Sequence, residues 1–214
     1  MNEYLLKYNG WKYFFLLSVF AILITFAINF LFVSDVLYYQ SYGEQLAAGR
    51  IAKMIEATQK WQWLGYIFVP IVVFIRVCFT ATCLYIGCFI AELRINFGKL
   101  FKVALLADFV FVLAGITKLV IMIFFKDIST ISDLQFQPLS LLELFDRKAV
   151  DTLLIYPFSL ISIFELLYWL ALAWLLSGVI EKPFGNSLKT VASSYGIGLL
   201  LWVLFVMFLT VNLT

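Results

Sequence analysis

Trp61–Ala91, WQWLGYIFVPIVVFIRVCFTATCLYIGCFIA, is a run of 31 residues in which Arg76 is the sole charge. About 20 apolar residues at 1.5 Å rise each suffice to cross a hydrocarbon core, so this run reads as a transmembrane helix. A charge at the centre of such a helix costs roughly 2.5–3.5 kcal/mol on insertion scales. Arg76 must therefore face protein or water and not lipid.

Four further runs of the same kind lie outside it. Tyr13–Ser34 carries 22 residues without a charge, Val103–Phe125 is interrupted only by Asp108 and Lys118, Thr152–Ile180 only by Glu165, and Thr190–Thr214 by nothing. The spans fall at about 13–34, 63–90, 102–125, 153–180 and 190–212. The fold class is all-α, a polytopic membrane helix bundle of five transmembrane helices, with residues 1–214 forming a single membrane-embedded domain. Composition agrees: 64% of residues are hydrophobic and 13% charged, with a mean hydropathy of +1.02, against about 25% charged in a soluble domain. The first span is longer than the apolar core of a secretory signal and lacks a small-residue cleavage site after it, so it reads as a retained helix.

Basic residues set the expected orientation. The amino end and the loops after the second and fourth spans hold Lys7, Lys12, Arg94, Lys99, Lys102, Lys182 and Lys189 against Glu3, Glu92 and Glu181. The other face spreads Arg50, Lys53, Lys60, Lys126, Arg147 and Lys148 over two long loops that also carry eight acids. The denser basic face predicts a cytoplasmic amino terminus and an outer carboxyl terminus, with the bacterial inner membrane as the expected location. No basic run is long enough to track a phosphate backbone, which argues against nucleic acid as a partner.

The two long outer loops carry structure of their own. Ala47, Ile51, Met54, Ile55 and Thr58 recur at helical spacing, predicting a helix that lies at the interface or extends the second span. Ser140 with Glu143 has capping-box spacing before Leu141, Leu142, Leu144 and Phe145, predicting a short interfacial helix. These segments either cover the bundle or form a docking surface for an extracytoplasmic partner, with Ile51, Met54, Leu142 and Phe145 as its candidate residues.

Inside the bundle, Arg76, Thr80, Cys83, Gly87 and Ala91 make one polar and small stripe on the second span, and Ala192/Gly196 and Ser194/Gly198 are small-xxx-small pairs on the fifth. Arg76 and Glu165 share a depth near the midplane and are the first predicted ion pair. Asp108 also lies within reach of a long arginine side chain, and Lys118 is placed to snorkel outward. The network Arg76, Asp108, Lys118 and Glu165 serves either a translocation pathway or the fixing of helix register. Pro70 and Pro157 predict kinks. With no His, no Gly-rich phosphate loop and no acidic cluster, the chain offers no catalytic, cofactor or metal motif. Cys78, Cys83 and Cys88, five apart, point in different directions around one helix and read as small core residues.

The turn Phe97-Gly98-Lys99-Leu100-Phe101-Lys102, the stretch Pro157-Phe158-Ser159-Leu160-Ile161-Ser162-Ile163-Phe164-Glu165-Leu166-Leu167-Tyr168-Trp169 and the turn Gly185-Asn186-Ser187-Leu188-Lys189-Thr190 occur in an order that resembles the membrane domain of the Yip (Ypt-interacting protein) family in its short bacterial form. The resemblance covers roughly residues 60–214. It implies five helices, a cytoplasmic amino end and a non-enzymatic role in organising membranes or membrane complexes. The Asp-Leu-Tyr-Gly-Pro-like stretch of eukaryotic members does not occur, so GTPase regulation is not implied.

Two functions follow as expectations. One is a non-enzymatic membrane scaffold or complex subunit, whose partners are the bilayer, other membrane or extracytoplasmic subunits, or a second copy in a homo-oligomer. The other is a small-solute or proton-coupled permease using the buried charges. Five spans cannot form two equal inverted halves, and no repeat is evident between the halves, which weighs against a carrier built on internal symmetry.

Overall fold

The computed structural model describes residues 10–147 and 149–213. Lys7, Glu3, Lys148 and Thr214, which entered the orientation argument, lie outside them. The chain is an all-α, multi-pass membrane protein; among the described residues, five helical segments are long and apolar enough to cross a bilayer. In chain order the helices are α1 (Gly10–Phe32), α2 (Asp35–Tyr42), α3 (Ala48–Ile90), α4 (Phe97–Ala107), α5 (Phe109–Phe124), α6 (Thr152–Leu160), α7 (Ile163–Ile180), α8 (Phe184–Val191) and α9 (Ile197–Leu213). Two 3₁₀ turns, Ile131–Gln135 and Leu141–Leu144, lie between α5 and α6, and a π turn, Ala192–Gly196, joins α8 to α9.

The core is a square of four spans. α3 packs on α4, α4 on α7, α7 on α8, and α8 with the π turn packs back on α3. α1 lies outside this square against α3, α4 and α5. Leu84, Cys88, Leu100, Val103, Leu172 and Leu176 fill the end of the square nearest the turns after α3 and α7. Leu17, Val73, Val77, Ala81, Ala104 and Leu105 fill the seam with α1. The many exposed Phe, Leu, Ile and Val side chains on the outer flanks, such as Phe30, Ile75 and Phe208, are what a lipid-solvated bundle requires. Small residues permit the tightest crossing. A Cβ on Gly87 would run into Ser194, and one on Gly198 would run into the Cys83 Sγ. Within the polar and small stripe of the second span, Cys83 and Gly87 are therefore the residues that meet the fifth.

The sequence expectation of a helix over 42–62 resolves into its second form. α3 is continuous for 43 residues, about 65 Å at 1.5 Å per residue, twice the roughly 30 Å of a hydrocarbon core. Its first turns stand beyond the membrane, and α2 packs on them with Leu37, Ile51 and Ile55 buried. Pro70 sits within this uninterrupted helix.

The other outer loop corrects one expectation. Ser140 makes no side-chain cap. It forms an isolated antiparallel bridge with Ser162, in which Leu141 N donates to the Ile161 carbonyl at 2.7 Å and Ile163 N to the Leu139 carbonyl at 3.2 Å. That pairing dictates the backbone at Ser140. The reciprocal capping box belongs instead to Thr130 and Asp133, and Ile131 N reaches across to Ser41 Oγ at 2.8 Å, tying the loop to α2.

Three spans depart from α geometry. The third breaks at Asp108, between α4 and α5. The fourth breaks at Ile161–Ser162, four residues beyond Pro157, where the chain turns extended before Ser162 Oγ accepts from Glu165 N at 3.1 Å and starts α7. The fifth widens into the π turn. Backbone groups freed inside a membrane must find partners. At the fourth span the bridge with residues 139–141 supplies them.

A repeat, which the sequence was not expected to contain, emerges once the elements are in register. α3–α4 and α7–α8 are two hairpins. The first helix of each ends at a left-handed glutamate, Glu92 (φ 57°) or Glu181 (φ 53°). The second helix of each begins Phe-Gly, at Phe97-Gly98 or Phe184-Gly185. The residue eleven after that Phe lies within the departure from α geometry in both, Asp108 in one hairpin and Tyr195, inside Ala192–Gly196, in the other. The two hairpins run in the same sense and close the square.

Candidate functional site

All three irregularities converge on one polar cluster. Arg76 projects from α3 and Asp108 from the α4–α5 break, where its carboxylate is fully buried. Arg76 Nε donates to Asp108 Oδ1 at 2.7 Å and Nη2 to Oδ2 at 2.6 Å, a forked contact that satisfies both carboxylate oxygens. The guanidinium lies 4.3 Å from the Phe111 ring centroid. Phe111 in turn packs on Tyr168 at 4.8 Å, so one aromatic ring separates the ion pair from the second half of the cluster.

In that second half, Tyr168 is fully buried and donates its hydroxyl to Thr80 Oγ1 at 2.9 Å. Its ring meets Tyr195 edge-on at 5.4 Å. Tyr195 donates to Glu165 Oε1 at 2.9 Å, and Trp169 Nε1 donates to the same oxygen at 3.0 Å. Because α7 begins at Ile163, Glu165 stands in its first turn, where the exposed amide dipoles favour a carboxylate. The π turn is what swings Tyr195 toward Glu165, and Gly196 beneath it leaves room for the Trp169 ring, which a Cβ there would meet at 2.7 Å.

The first predicted ion pair is corrected by this geometry: Arg76 pairs with Asp108 and not with Glu165. Arg76 and Glu165 do share a depth, each sixteen residues before its hairpin's left-handed glutamate. They stand on α3 and α7, however, which sit across the square with α4 and α8 between them. Each finds its partner inside its own hairpin. The four charges also do not form one network. Lys118 turns outward, its ammonium 5.5 Å from the Phe136 ring centroid in the outer loop. Lys126 lies 4.2 Å from the same ring and 3.4 Å from Glu143 Oε2.

The candidate docking residues divide. Ile51 (1% exposed) and Leu142 (3%) face the protein's own interior and are not available to a partner. Helical periodicity marked an apolar face correctly at Ile51, but α2 takes that face. Met54 is half-buried, and Phe145, against Phe158 at 5.7 Å, remains exposed.

Thr80, Phe111, Tyr168 and Tyr195 join the site without having been singled out for it. Thr80 stood on the stripe with Arg76, and Tyr195 is signalled only by the Phe-Gly repeat. Among the described residues, no group of three or more His, Cys, Asp or Glu side chains stands close enough to hold a metal. The arrangement is a set of hydrogen bonds, two to Asp108 and two to Glu165, that pins the broken ends of three helices. Beside it, Arg76 and Asp108 form the floor of a cleft of about 350 Å³ between α1, α3 and α5. No family model, curated protein or solved structure matches the chain.

Proposed function

We propose that this protein is a non-enzymatic integral membrane scaffold or a subunit of a larger membrane complex, in keeping with its Yip-like pattern. The observation that carries this reading is that both buried acids are held by donors of the protein itself. Both Asp108 oxygens are taken by Arg76, and Glu165 is held by Tyr195 and Trp169. Charges so engaged specify which helices meet and at what height, the use best supported for buried ion pairs. The outer turns of α3, with exposed Lys53, Glu56, Gln59 and Lys60, and the exposed pair Leu144 and Phe145 are the surface offered to a partner.

The orientation that goes with it has the amino end and the turns at Glu92 and Glu181 in the cytoplasm of a bacterial cell. In a cysteine-free background, an impermeant thiol reagent added outside should label a cysteine at Glu44 and miss one at Lys99. The reverse pattern inverts the topology.

Mild solubilisation from the native membrane followed by identification of co-purifying subunits tests the scaffold reading. Charge reversal at Lys53 and Glu56, or Phe145→Asp, should release the partner and leave the bundle folded. A second reading, a small-solute or proton-coupled permease, is favoured by the convergence of three broken helices on one mid-membrane polar cluster, a feature of transporter sites. Flux of protons or solute in liposomes that disappears with Arg76→Met/Asp108→Leu would replace the scaffold reading with that one.

A further inference from the structure

The fork between Arg76 and Asp108 uses Nε and Nη2, and Arg76 Nη1 has no hydrogen-bond partner among the described residues. The side chain is 39% exposed although both oxygens of its counter-ion are dry. The exposed part opens into the cleft between α1, α3 and α5, whose walls are apolar: Leu17, Ile24, Phe68, Val72 and Val112. An N–H donor facing hydrocarbon without an acceptor is costly. The fork on one side and Phe111 on one face hold the guanidinium where it is, so it cannot snorkel away.

We propose that this cleft binds a single-chain amphiphile with an uncharged oxygen head, a long-chain alcohol, whose oxygen accepts from Arg76 Nη1 while its chain lies along the apolar walls. Size, depth and charge each narrow the occupant. The cleft of about 350 Å³ is at the small end of ligand pockets. A cleft of that size, walled by three helices, suits a single chain laid along it. Arg76 lies sixteen residues from Glu92 and thirteen from the exposed Trp63, roughly 24 Å and 20 Å along the helix. A phospholipid phosphate anchored at either interface does not reach it. Asp108 already neutralises Arg76, so an anionic head would bring an uncompensated charge into the hydrocarbon, whereas a hydroxyl brings only the missing acceptor.

This site is independent of the scaffold reading and can fail without it. The test uses the full chain in lipid nanodiscs with 1-dodecanol bearing a diazirine at the chain terminus. Light should attach the probe within 65–72 or 109–115, and excess 1-dodecanol should compete at least tenfold better than dodecane or ionised dodecanoate. Gly65→Phe should lower the labelling tenfold or more, because a Cβ at Gly65 meets nothing within 4 Å and the ring enters the cleft without displacing a neighbour. Val72→Trp, at an exposed position of the wall, fills the same space should Gly65→Phe fail to fold. Equal competition by dodecane, preferred competition by dodecanoate, or undiminished labelling in a folded cleft-filled variant overturns the proposal. The competition order decides on the wild-type chain alone.

Discussion

Asp108 and Tyr195 occupy the same place in two successive hairpins, each eleven residues beyond a Phe-Gly helix start and each facing a mid-span residue of the preceding helix. The polarity is exchanged between them. In the first hairpin the returning segment supplies the acid and α3 supplies the donor Arg76. In the second, α7 supplies the acid Glu165 and the returning segment supplies the donor Tyr195. One position in the repeat thus serves as a lock between the two helices of each hairpin, with different chemistry in each.

That relationship predicts the behaviour of the ion pair. Arg76→Met alone leaves Asp108 charged and fully buried without a partner, and should destabilise the bundle by about 3–5 kcal/mol. Arg76→Met/Asp108→Leu removes both charges and should recover most of the loss, since well-packed apolar residues replace buried ion pairs at little cost. Reversible unfolding in mixed micelles measures both. A double variant no more stable than Arg76→Met alone would show that Arg76 holds the structure through a contact other than Asp108.

The hydrogen bond across the square makes a second, separable case. Tyr168 donates to Thr80 at 2.9 Å, both side chains are buried, and the bond joins α3 to α7 across the square. Thr80→Val leaves the Tyr168 hydroxyl unsatisfied and should cost about 1–3 kcal/mol. Tyr168→Phe added to it removes the orphaned hydroxyl and should be nearly as stable as the starting protein. The double-mutant cycle, measured by the same unfolding assay, isolates the pair; additive losses would mean the hydroxyl has another acceptor.

What could be seen in the sequence and what could not follows from the physics of each feature. Five spans were legible because apolar runs of that length, with at most two charges each, have no other use in a chain this apolar. The midplane depth of Arg76 and Glu165 was legible because rise per residue is fixed. Their partners were not, since pairing depends on which helices are neighbours, and α3 and α7 turned out to stand across from one another. The break at Ile161–Ser162 escaped because nothing local marks it: Pro157 lies a full turn earlier, and the acceptor that stabilises the break comes from Leu139, over twenty residues away. The repeat escaped for a related reason. It rests on Phe-Gly, one glutamate and a spacing, too little to register before the helix ends were known. Ile51 was read as apolar and helical, correctly, but periodicity cannot say whether an apolar face meets a partner or α2.

Close contact between α3 and the fifth span gives a third prediction. A Cβ on Gly87 would overlap Ser194 on the π turn, and that overlap falls on the atoms nearest the backbone, where rotamer changes give no relief. Gly87→Leu should therefore force α3 and the fifth span apart, costing about 1–3 kcal/mol or more as an overpacked contact. Gly49→Leu, on the exposed part of α3 where a Cβ meets nothing within 4 Å, should cost nothing and serves as the control. A distance between labels on α3 and α9, read by pulsed electron resonance, should lengthen only in the first variant. Unchanged distances in a folded Gly87→Leu protein would show that the two helices are not held at this crossing.

The outer loop supplies the pH dependence. Burial pushes the Asp133 carboxyl up, but hydrogen bonds from the Thr130 hydroxyl and amide and the Ser129 amide and hydroxyl outweigh it and hold the group below its usual range. A depressed carboxyl contributes stability that is fully present above its unfolded value, about 3.9, and is lost as pH falls through the lower folded value. The turn Ile131–Gln135 should then loosen as pH drops below about 4, while the Tyr168–Thr80 bond, which has no acid in it, stays closed. Arg147, whose guanidinium reaches the Ser132 carbonyl and Gln135, braces the same turn from the other side. A nitroxide at Ser132, introduced as Ser132→Cys in a cysteine-free background, should gain mobility across that window. Asp133→Asn should show the mobile spectrum already at neutral pH, with no further change on acidification. An Asp133→Asn spectrum as rigid as the parent at neutral pH, or one that still loosens with acid, would assign the loop's order to other contacts, Lys126 with Glu143 first among them.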